Sequence, residues 1–96
     1  MNTPPVFFTH YLIVYDIADS KRCVLVNRAL RQYCWQQQRS VFEGELTNAQ
    51  LHALHVKIKS IMDFRKDSVI IYPLTKTSIF AKKALGLLPY RIMHII

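Results

Sequence analysis

Residues 12–15 are apolar at four consecutive positions, within the stretch YLIVYDIADSKR at residues 11–22. A half-exposed strand alternates apolar and polar residues, whereas a strand covered on both faces reads as a continuous apolar run. Residues 10–17 are also rich in β-branched and aromatic residues, which favour strands. We therefore predict a strand over residues 10–17, central in a sheet that is covered on at least one side. Asp16 stands at its end.

Two apolar stripes with helical spacing follow this strand. They are Cys23, Val26, Leu30 and Tyr33, and then Leu51, Leu54, Ile58 and Ile61. Intervals of 3, 4 and 3 residues in both stripes place the apolar side chains on one face of a helix. Asp19 or Ser20 can cap the first helix. Thr47 with Gln50 fits a capping box at the start of the second.

Three further segments have strand character. Residues 41–42 are apolar, but Gly44 would weaken a strand unless it marks a bulge or a close approach. A hairpin and one kinked strand therefore both stay open for this region. Residues 68–74 predict a strand that Pro73 closes or places near an edge, and residues 90–96 have the character of a terminal strand.

The predicted order is strand, helix, one or two strands, helix, strand and tail. One domain is the natural expectation for 96 residues. Strands that alternate with helices in so short a chain favour an α+β sandwich of the split βαβ type. We predict a single domain over residues 1–96, with an N-terminal extension at residues 1–9 and a C-terminal tail at residues 75–96. The apolar end of the tail needs a surface to dock on, within the chain or on a partner.

Positive charge dominates the sequence. Thirteen Lys and Arg residues stand against six Asp and Glu, for a formal net charge of +7, and no acid follows Asp67. A basic chain of this size points first to a nucleic acid and second to an anionic membrane, with a simply soluble basic protein as the alternative. The spread of the cations suits contact with a phosphate backbone rather than base reading. These cations are Lys21, Arg22, Arg28 and Arg31 on the first helix, Arg39 at a strand, and Lys57 and Lys59 on the second helix.

The sequence argues against membrane insertion and export. No apolar run approaches the roughly 20 residues that span a bilayer, and the N-terminus lacks the basic start and long apolar core of a secretion signal. Cys23 and Cys34 are 11 residues apart in one predicted helix, too far along it to form a disulfide. We interpret both as reduced packing residues of a cytoplasmic protein.

Asp16 is the first candidate for chemistry. Its apolar neighbours predict desolvation of the carboxylate, and Mg²⁺ prefers carboxylate oxygens. A cap of the next helix, or an ion pair with Lys21 or Arg22, is the structural alternative. Because one carboxylate makes a weak metal site, Asp19 or the Asp16 of a second copy in a symmetric dimer would have to complete it.

The histidines carry weaker signals. His52 and His55 lie three residues apart on the second helix, so a shared metal is geometrically feasible. No third ligand is visible nearby, and a half-exposed pair beside the apolar stripe is the favoured interpretation. His10 and His94 have no motif context.

Three segments, in order, resemble the signature segments of the CRISPR-associated protein 2 family. They are YLIVYDIADSKR at residues 11–22, RSVFEGEL at residues 39–46 and DSVIIYPL at residues 67–74. The resemblance covers residues 11–74 and, more loosely, the tail. It implies a ferredoxin-like βαββαβ sandwich and a homodimer in which an additional C-terminal strand joins the sheet of the partner protomer.

The resemblance also implies a site and a function. The acid that ends the first strand, here Asp16, would face its copy across the two-fold axis as the metal ligand and catalytic residue, with Mg²⁺ shared across the dimer. Many members carry a second acid where Ser20 stands, which puts more weight on Asp16. The family sits between two dimers of the CRISPR integrase and helps to insert new spacer DNA, and several members are described as Mg²⁺-dependent endonucleases on RNA or DNA.

Two functions therefore follow as expectations. The first is a bridging module for spacer acquisition that holds duplex DNA and needs no catalysis. Its expected DNA contacts are Lys21, Arg22, Arg28, Arg31 and Arg39. The second is a Mg²⁺-dependent phosphodiesterase that acts on RNA or DNA through Asp16. A toxin-type ribonuclease is a further alternative, because small ferredoxin-like dimers host several functions.

Overall fold

The computed structural model describes residues 6–75, which form a four-stranded sheet and two helices. The elements in chain order are β1 (Thr9–Asp16), α1 (Ser20–Arg31), β2 (Trp35–Gln38), β3 (Val41–Leu46), α2 (Asn48–Ile61) and β4 (Ser68–Leu74). The strand order is β2-β3-β1-β4, with every neighbouring pair antiparallel. This confirms the predicted α+β class and its ferredoxin-like βαββαβ order. Neither helix of this part of the chain has the length and apolar character to cross a bilayer.

The central position of β1 agrees with its continuous apolar run. Ile13 lies opposite Phe42 of β3 on one side and opposite Ile71 of β4 on the other. Ile13 and Phe42 are fully buried, because alternate side chains of each strand point toward the helices. Complete burial of one such side chain stabilises the fold by about 1.5–3 kcal/mol.

Both helices cover the same face of the sheet, and the core lies between them and that face. Its buried residues are Tyr11, Ile13 and Tyr15 of β1, Phe42 and Leu46 of β3, Val26, Ala29 and Leu30 of α1, Leu54 and Ile58 of α2, and Cys34. The two predicted stripes thus supply most of the helical half of the core, through Val26, Leu30, Leu54 and Ile58. We call the opposite surface of the sheet the far face. By strand alternation and register it carries His10, Leu12, Val14 and Asp16 of β1, Glu43 and Glu45 of β3, and Ile70 and Tyr72 of β4.

The helix starts follow the predicted caps. Asp19 is the N-cap of α1, and its Oδ2 accepts the Arg22 N–H at 2.9 Å. The capping box of α2 is complete, since Gln50 N–H donates to Thr47 Oγ1 at 3.1 Å and Thr47 N–H donates to Gln50 Oε1 at 2.9 Å. These bonds satisfy amide groups that a helix start leaves without partners.

The end of α1 differs from the prediction. The helix stops at Arg31, so Tyr33 and Cys34 lie beyond it and the two cysteines do not share a helix. The amides of Gln32 and Tyr33 donate to carbonyls three residues back, a tighter turn that closes a helix. The sequence stripe continued past this end because Tyr33 still packs against the core.

The region after α1 is a hairpin, which decides between the two open alternatives. β2 and β3 pair antiparallel, and a register shift between Gln36 and Gln38 places the irregularity in β2 rather than at Gly44. Gly44 instead marks a close approach, to Cys34. The predicted terminal strand at residues 90–96 and its exchange lie outside the described residues.

Candidate metal site and nucleic-acid interface

Asp16 is the last residue of β1 and is exposed. Ser68 of β4 lies opposite it on one side. On the other side the Tyr15 N–H donates to the Ser40 carbonyl at 3.1 Å, so the β2–β3 turn at residues 39–40 borders the strand end. The predicted desolvation of Asp16 is wrong for a single chain, because β1 ends there and this residue is open to solvent.

Asp16 forms neither of the ion pairs considered for it. Arg22 bonds to Asp67, 45 residues away, with Nε donating to Oδ2 at 2.8 Å and Nη2 donating to Oδ1 at 3.1 Å. Lys21 is exposed. Within residues 6–75 the Asp16 carboxylate takes part in no hydrogen bond or ion pair, so it is available to a ligand.

Asp67 is a buried acid whose role the sequence did not reveal. Besides Arg22, its Oδ1 accepts the Ala18 N–H at 2.9 Å and its Oδ2 accepts the Asp63 N–H at 2.8 Å. The side chain has 0% exposure. The hydrogen bond from Arg22 holds the pKa of Asp67 far below its ordinary value, helped by the Asp63 and Ala18 amides and opposed by burial. The same bond raises the pKa of Arg22.

A closed ring of hydrogen bonds holds the β2–β3 turn against α1. Arg31 donates from Nε to Asn27 Oδ1 at 2.6 Å and from Nη2 to Gln36 Oε1. Asn27 donates to the Tyr15 hydroxyl at 3.3 Å, and Tyr15 donates to the Arg39 carbonyl at 3.3 Å. Gln36 completes the ring by donating to the same carbonyl at 3.1 Å. Burial raises the pKa of Tyr15, which keeps this phenol protonated as a donor.

The five predicted nucleic-acid contacts therefore fall into two groups. Arg22 and Arg31 both donate hydrogen bonds within the chain, Arg22 to the buried Asp67 carboxylate and Arg31, at the surface, to the neutral side chains of Asn27 and Gln36. Lys21, Arg28 and Arg39 are exposed, and their charged groups make no hydrogen bond or ion pair within the described range 6–75. Sequence reasoning could not separate the groups, because Asp67 and Gln36 come into contact with these arginines only in the folded chain.

The three histidines of the described residues differ in their exposure. His52 and His55 are both exposed on α2, and no group of three or more His, Cys, Asp or Glu side chains in the described part of the chain could hold a metal ion. His10, which had no motif context, is packed on the far face. Its Nε2 lies 3.0 Å from Glu43 Oε2, and its ring stands edge-on to Trp35.

The donor set of one chain does not complete a Mg²⁺ site. Mg²⁺ takes octahedral oxygen ligands, and proteins usually supply one or two carboxylates with waters filling the rest. Of the acids near the end of β1, Asp19 caps α1 and Asp67 accepts four N–H groups. Among these three acids Asp16 alone is uncommitted within residues 6–75, so one chain offers a single free carboxylate to a metal here.

Comparison with known proteins connects this geometry to a family. The sequence profile described as CRISPR associated protein Cas2 matches residues 9–82. The chain belongs to this family. The CRISPR-associated endoribonuclease Cas2 3 of Thermodesulfovibrio yellowstonii is 38% identical over 78 residues, which cover 80% of this chain and 88% of that one. The CRISPR-associated endoribonuclease Cas2 of Methanothermobacter thermautotrophicus is 37% identical over 82 residues, 85% of this chain and 89% of that one.

Solved structures agree with the family and the fold. A crystal structure of Cas2 has a TM-score of 0.78 at 34% identity, and the match covers 93% of this chain and 99% of that one. The crystal structure of Streptococcus pyogenes Cas2 at pH 6.5 has a TM-score of 0.74 at 28% identity, over 80% of this chain and 99% of that one. The resemblance seen in the three sequence segments is thereby confirmed.

Proposed function

We propose that this protein acts in CRISPR adaptation, as a homodimer that holds duplex DNA by its phosphate backbone and bridges dimers of the CRISPR integrase. One observation carries the proposal: Lys21, Arg28 and Arg39 are exposed cations without partners in the described range, on α1 and at the turn tied to it. Such groups can neutralise phosphates and release their counterions. Membership of the Cas2 family supports the CRISPR context.

Backbone contact suits this surface better than base reading. Lys21 and Arg28 are seven residues apart on α1, about 10 Å along its axis, and so lie on one side of the helix. Val24 and Leu25 between them are 56% and 44% exposed. Their aliphatic side chains have no donor or acceptor for a base edge, so the polar contacts available here are the charged groups.

The homodimer is proposed from the far face of the sheet. Ile70 and Tyr72 of β4 are each 46% exposed there, beside the half-buried Leu12 and Val14 of β1. Apolar sheet surface of this kind is stabilised when a second copy covers it, and a two-fold axis brings each residue near its own copy. An axis near the end of β1 would bring the two Asp16 carboxylates toward each other.

The edge of β4 is proposed as the place where a strand of the partner joins this assembly. Within residues 6–75, β4 is an edge strand of the sheet. A cavity of about 290 Å³ lies beside it, and its lining includes Ile58 of α2, Met62 just after α2 and Ile71 of β4. Strand addition to an edge combines backbone hydrogen bonds with side-chain pockets of this type.

Salt titrations of duplex DNA binding test the backbone contact. Replacing Lys21, Arg28 and Arg39 by Gln should flatten the plot of log affinity against log salt by about 0.9 for each phosphate that is no longer neutralised. Lys59→Gln, on the second helix, tests whether the contact extends to the cations of α2, and the slope should stay unchanged if DNA contacts only α1 and its turn. Spacer acquisition in cells that carry the integrase and a repeat array should be abolished in the triple variant, and normal acquisition there would contradict the bridging role.

We propose nuclease activity as a second function, because relatives of this chain are named CRISPR-associated endoribonucleases. Two Asp16 carboxylates of a dimer would hold Mg²⁺, which polarises a phosphate and activates water. Asp16→Asn and EDTA should each abolish cleavage of RNA or DNA. Glu45 is an exposed acid of β3 that lies opposite His10, near the start of β1, and Glu45→Gln should retain cleavage. Cleavage by purified Asp16→Asn at the parent rate would exclude this mechanism.

Genomic context separates these proposals from a toxin-type ribonuclease. An integrase gene and a repeat array beside the gene would support adaptation. Their absence, together with Asp16-dependent RNA cleavage, would favour the toxin.

A further inference from the structure

The Asp67 carboxylate joins three segments that meet at the end of β1. It accepts N–H groups from Ala18 in the β1–α1 loop, from the Arg22 side chain in the first turn of α1, and from Asp63 just after α2. Four hydrogen bonds fill the acceptor sites of a carboxylate. Since the side chain is also fully buried, we expect the Asp67 carboxylate to hold these three segments in place relative to one another.

We propose that the Arg22–Asp67 ion pair is a latch that sets the position of the Asp16 carboxylate, and that Arg22 is a positioning residue and not a phosphate contact. Only the second half of this inference rests on the proposed binding of DNA. The latch itself is a property of the fold.

Asp16 is tied to Asp67 from two directions. Along the chain, Ala18 lies two residues beyond Asp16, and its N–H is held by Asp67 Oδ1 at 2.9 Å. Across the sheet, Ser68 is the register partner of Asp16 and the direct neighbour of Asp67 in sequence. Because the Asp16 side chain makes no hydrogen bond or ion pair within residues 6–75, its position follows from the backbone, which these two ties help to hold.

Arg22 differs from the exposed cations because Asp67 neutralises its charge. Its guanidinium makes a two-bond fork with Asp67, a strong geometry for an arginine and a carboxylate. The pair is electrically neutral, so it contributes little to counterion release on DNA. Arg28 lies on the same helix, is exposed and has no such partner in the described range. Substitution of Arg28 can therefore serve as the control for substitution of Arg22.

Arg22→Gln and Arg28→Gln remove the same group from one helix. In Arg22→Gln, amide hydrogen exchange at Ala18 and Asp63 should become about tenfold faster or more, the Asp16 amide resonance should move, and the salt slope of duplex DNA binding should stay at the parent value. In Arg28→Gln, exchange should keep the parent rate and the slope should become shallower by about 0.9. Arg22→Lys keeps the charge without the fork and should show intermediate exchange.

Several results would overturn the latch. Parent exchange rates at Ala18 and Asp63 in Arg22→Gln would do so, as would a flattening of the salt slope equal to that of Arg28→Gln. Shift changes spread through the core, at Phe42 and Leu54, would show general loosening of the packing and would also contradict a local latch. If the parent protein binds no duplex DNA, the proposed function fails, and amide exchange alone then decides the latch.

Discussion

A Cβ placed on Gly44 would lie 2.7 Å from the Sγ of Cys34 and 3.2 Å from the Cα of the same residue. The residue just before β2 therefore sits directly against β3 at this position. A side chain on residue 44 cannot be accommodated unless Cys34 moves, and Cys34 is itself buried. The glycine in the FEGEL segment is thus explained by close approach within the hairpin.

Gly44→Ala should destabilise the protein by about 1–3 kcal/mol, because an added methyl group in a filled core forces its neighbours to shift. In a domain of this size each kcal/mol lowers the Tm by about 4–8 °C. Cys34→Ala in the same background should recover part of the stability, since it removes Sγ and leaves the Cβ contact at 3.1 Å. Thermal unfolding of both single variants and the double variant measures this coupling, and strict additivity would contradict the contact.

The two thiols should react at different rates. Burial raises the pKa of Cys34 to about 11, so about one molecule in a thousand carries the thiolate there at pH 8. Cys23 is half-buried and lines the groove between α1 and the β2–β3 turn. Iodoacetamide should therefore alkylate Cys23 first in the folded protein, as peptide mass spectrometry can measure. Denatured protein should react at both sites, and faster labelling of Cys34 in the native state would disprove the assignment.

Acid unfolding should depend on Asp67. Arg22 holds the pKa of this carboxyl well below its ordinary value of 3.8, so the ionised form stabilises the folded state. This stabilisation is present above about pH 4 and is lost as the pH falls toward the much lower folded pKa, because the unfolded state takes up the proton first. Urea midpoints measured between about pH 6 and pH 2 should fall less steeply below pH 4 in Asp67→Asn than in the parent. Asp16→Asn removes an exposed carboxyl and is the matched control. If the urea midpoints of Asp67→Asn and the parent fall equally steeply below pH 4, the prediction is refuted.

The capping box should contribute measurably to α2. Thr47→Ala removes the acceptor of the Gln50 N–H and should cost about 1 kcal/mol, or about 4–8 °C in Tm. Ser60→Ala, near the other end of α2, removes an exposed hydroxyl that donates to the Lys57 carbonyl. This control should change stability by less than about 0.5 kcal/mol, and equal destabilisation of the two variants would argue against the box.

Local patterns were sufficient for most of the architecture. The continuous apolar run placed β1 centrally, the two stripes identified α1 and α2, and Thr47 with Gln50 marked a helix start that the structure bears out. Each of these signals depends on residues within a few positions of one another, so periodicity and capping chemistry are enough to read it. The sequence left open the choice between a hairpin and a kinked strand. That choice depends on strand pairing, and the segment contains no dipeptide typical of a tight turn.

Long-range contacts account for what the sequence left undecided at the candidate site. Arg22 and Arg31 looked equivalent to Arg28, yet Asp67, Asn27 and Gln36 engage the first two. The apolar neighbours of Asp16 predicted a desolvated carboxylate, yet Asp16 is exposed at the end of β1. A charged group's partner depends on distances of a few ångströms between segments as much as 49 residues apart, and composition and spacing along the chain do not encode those distances.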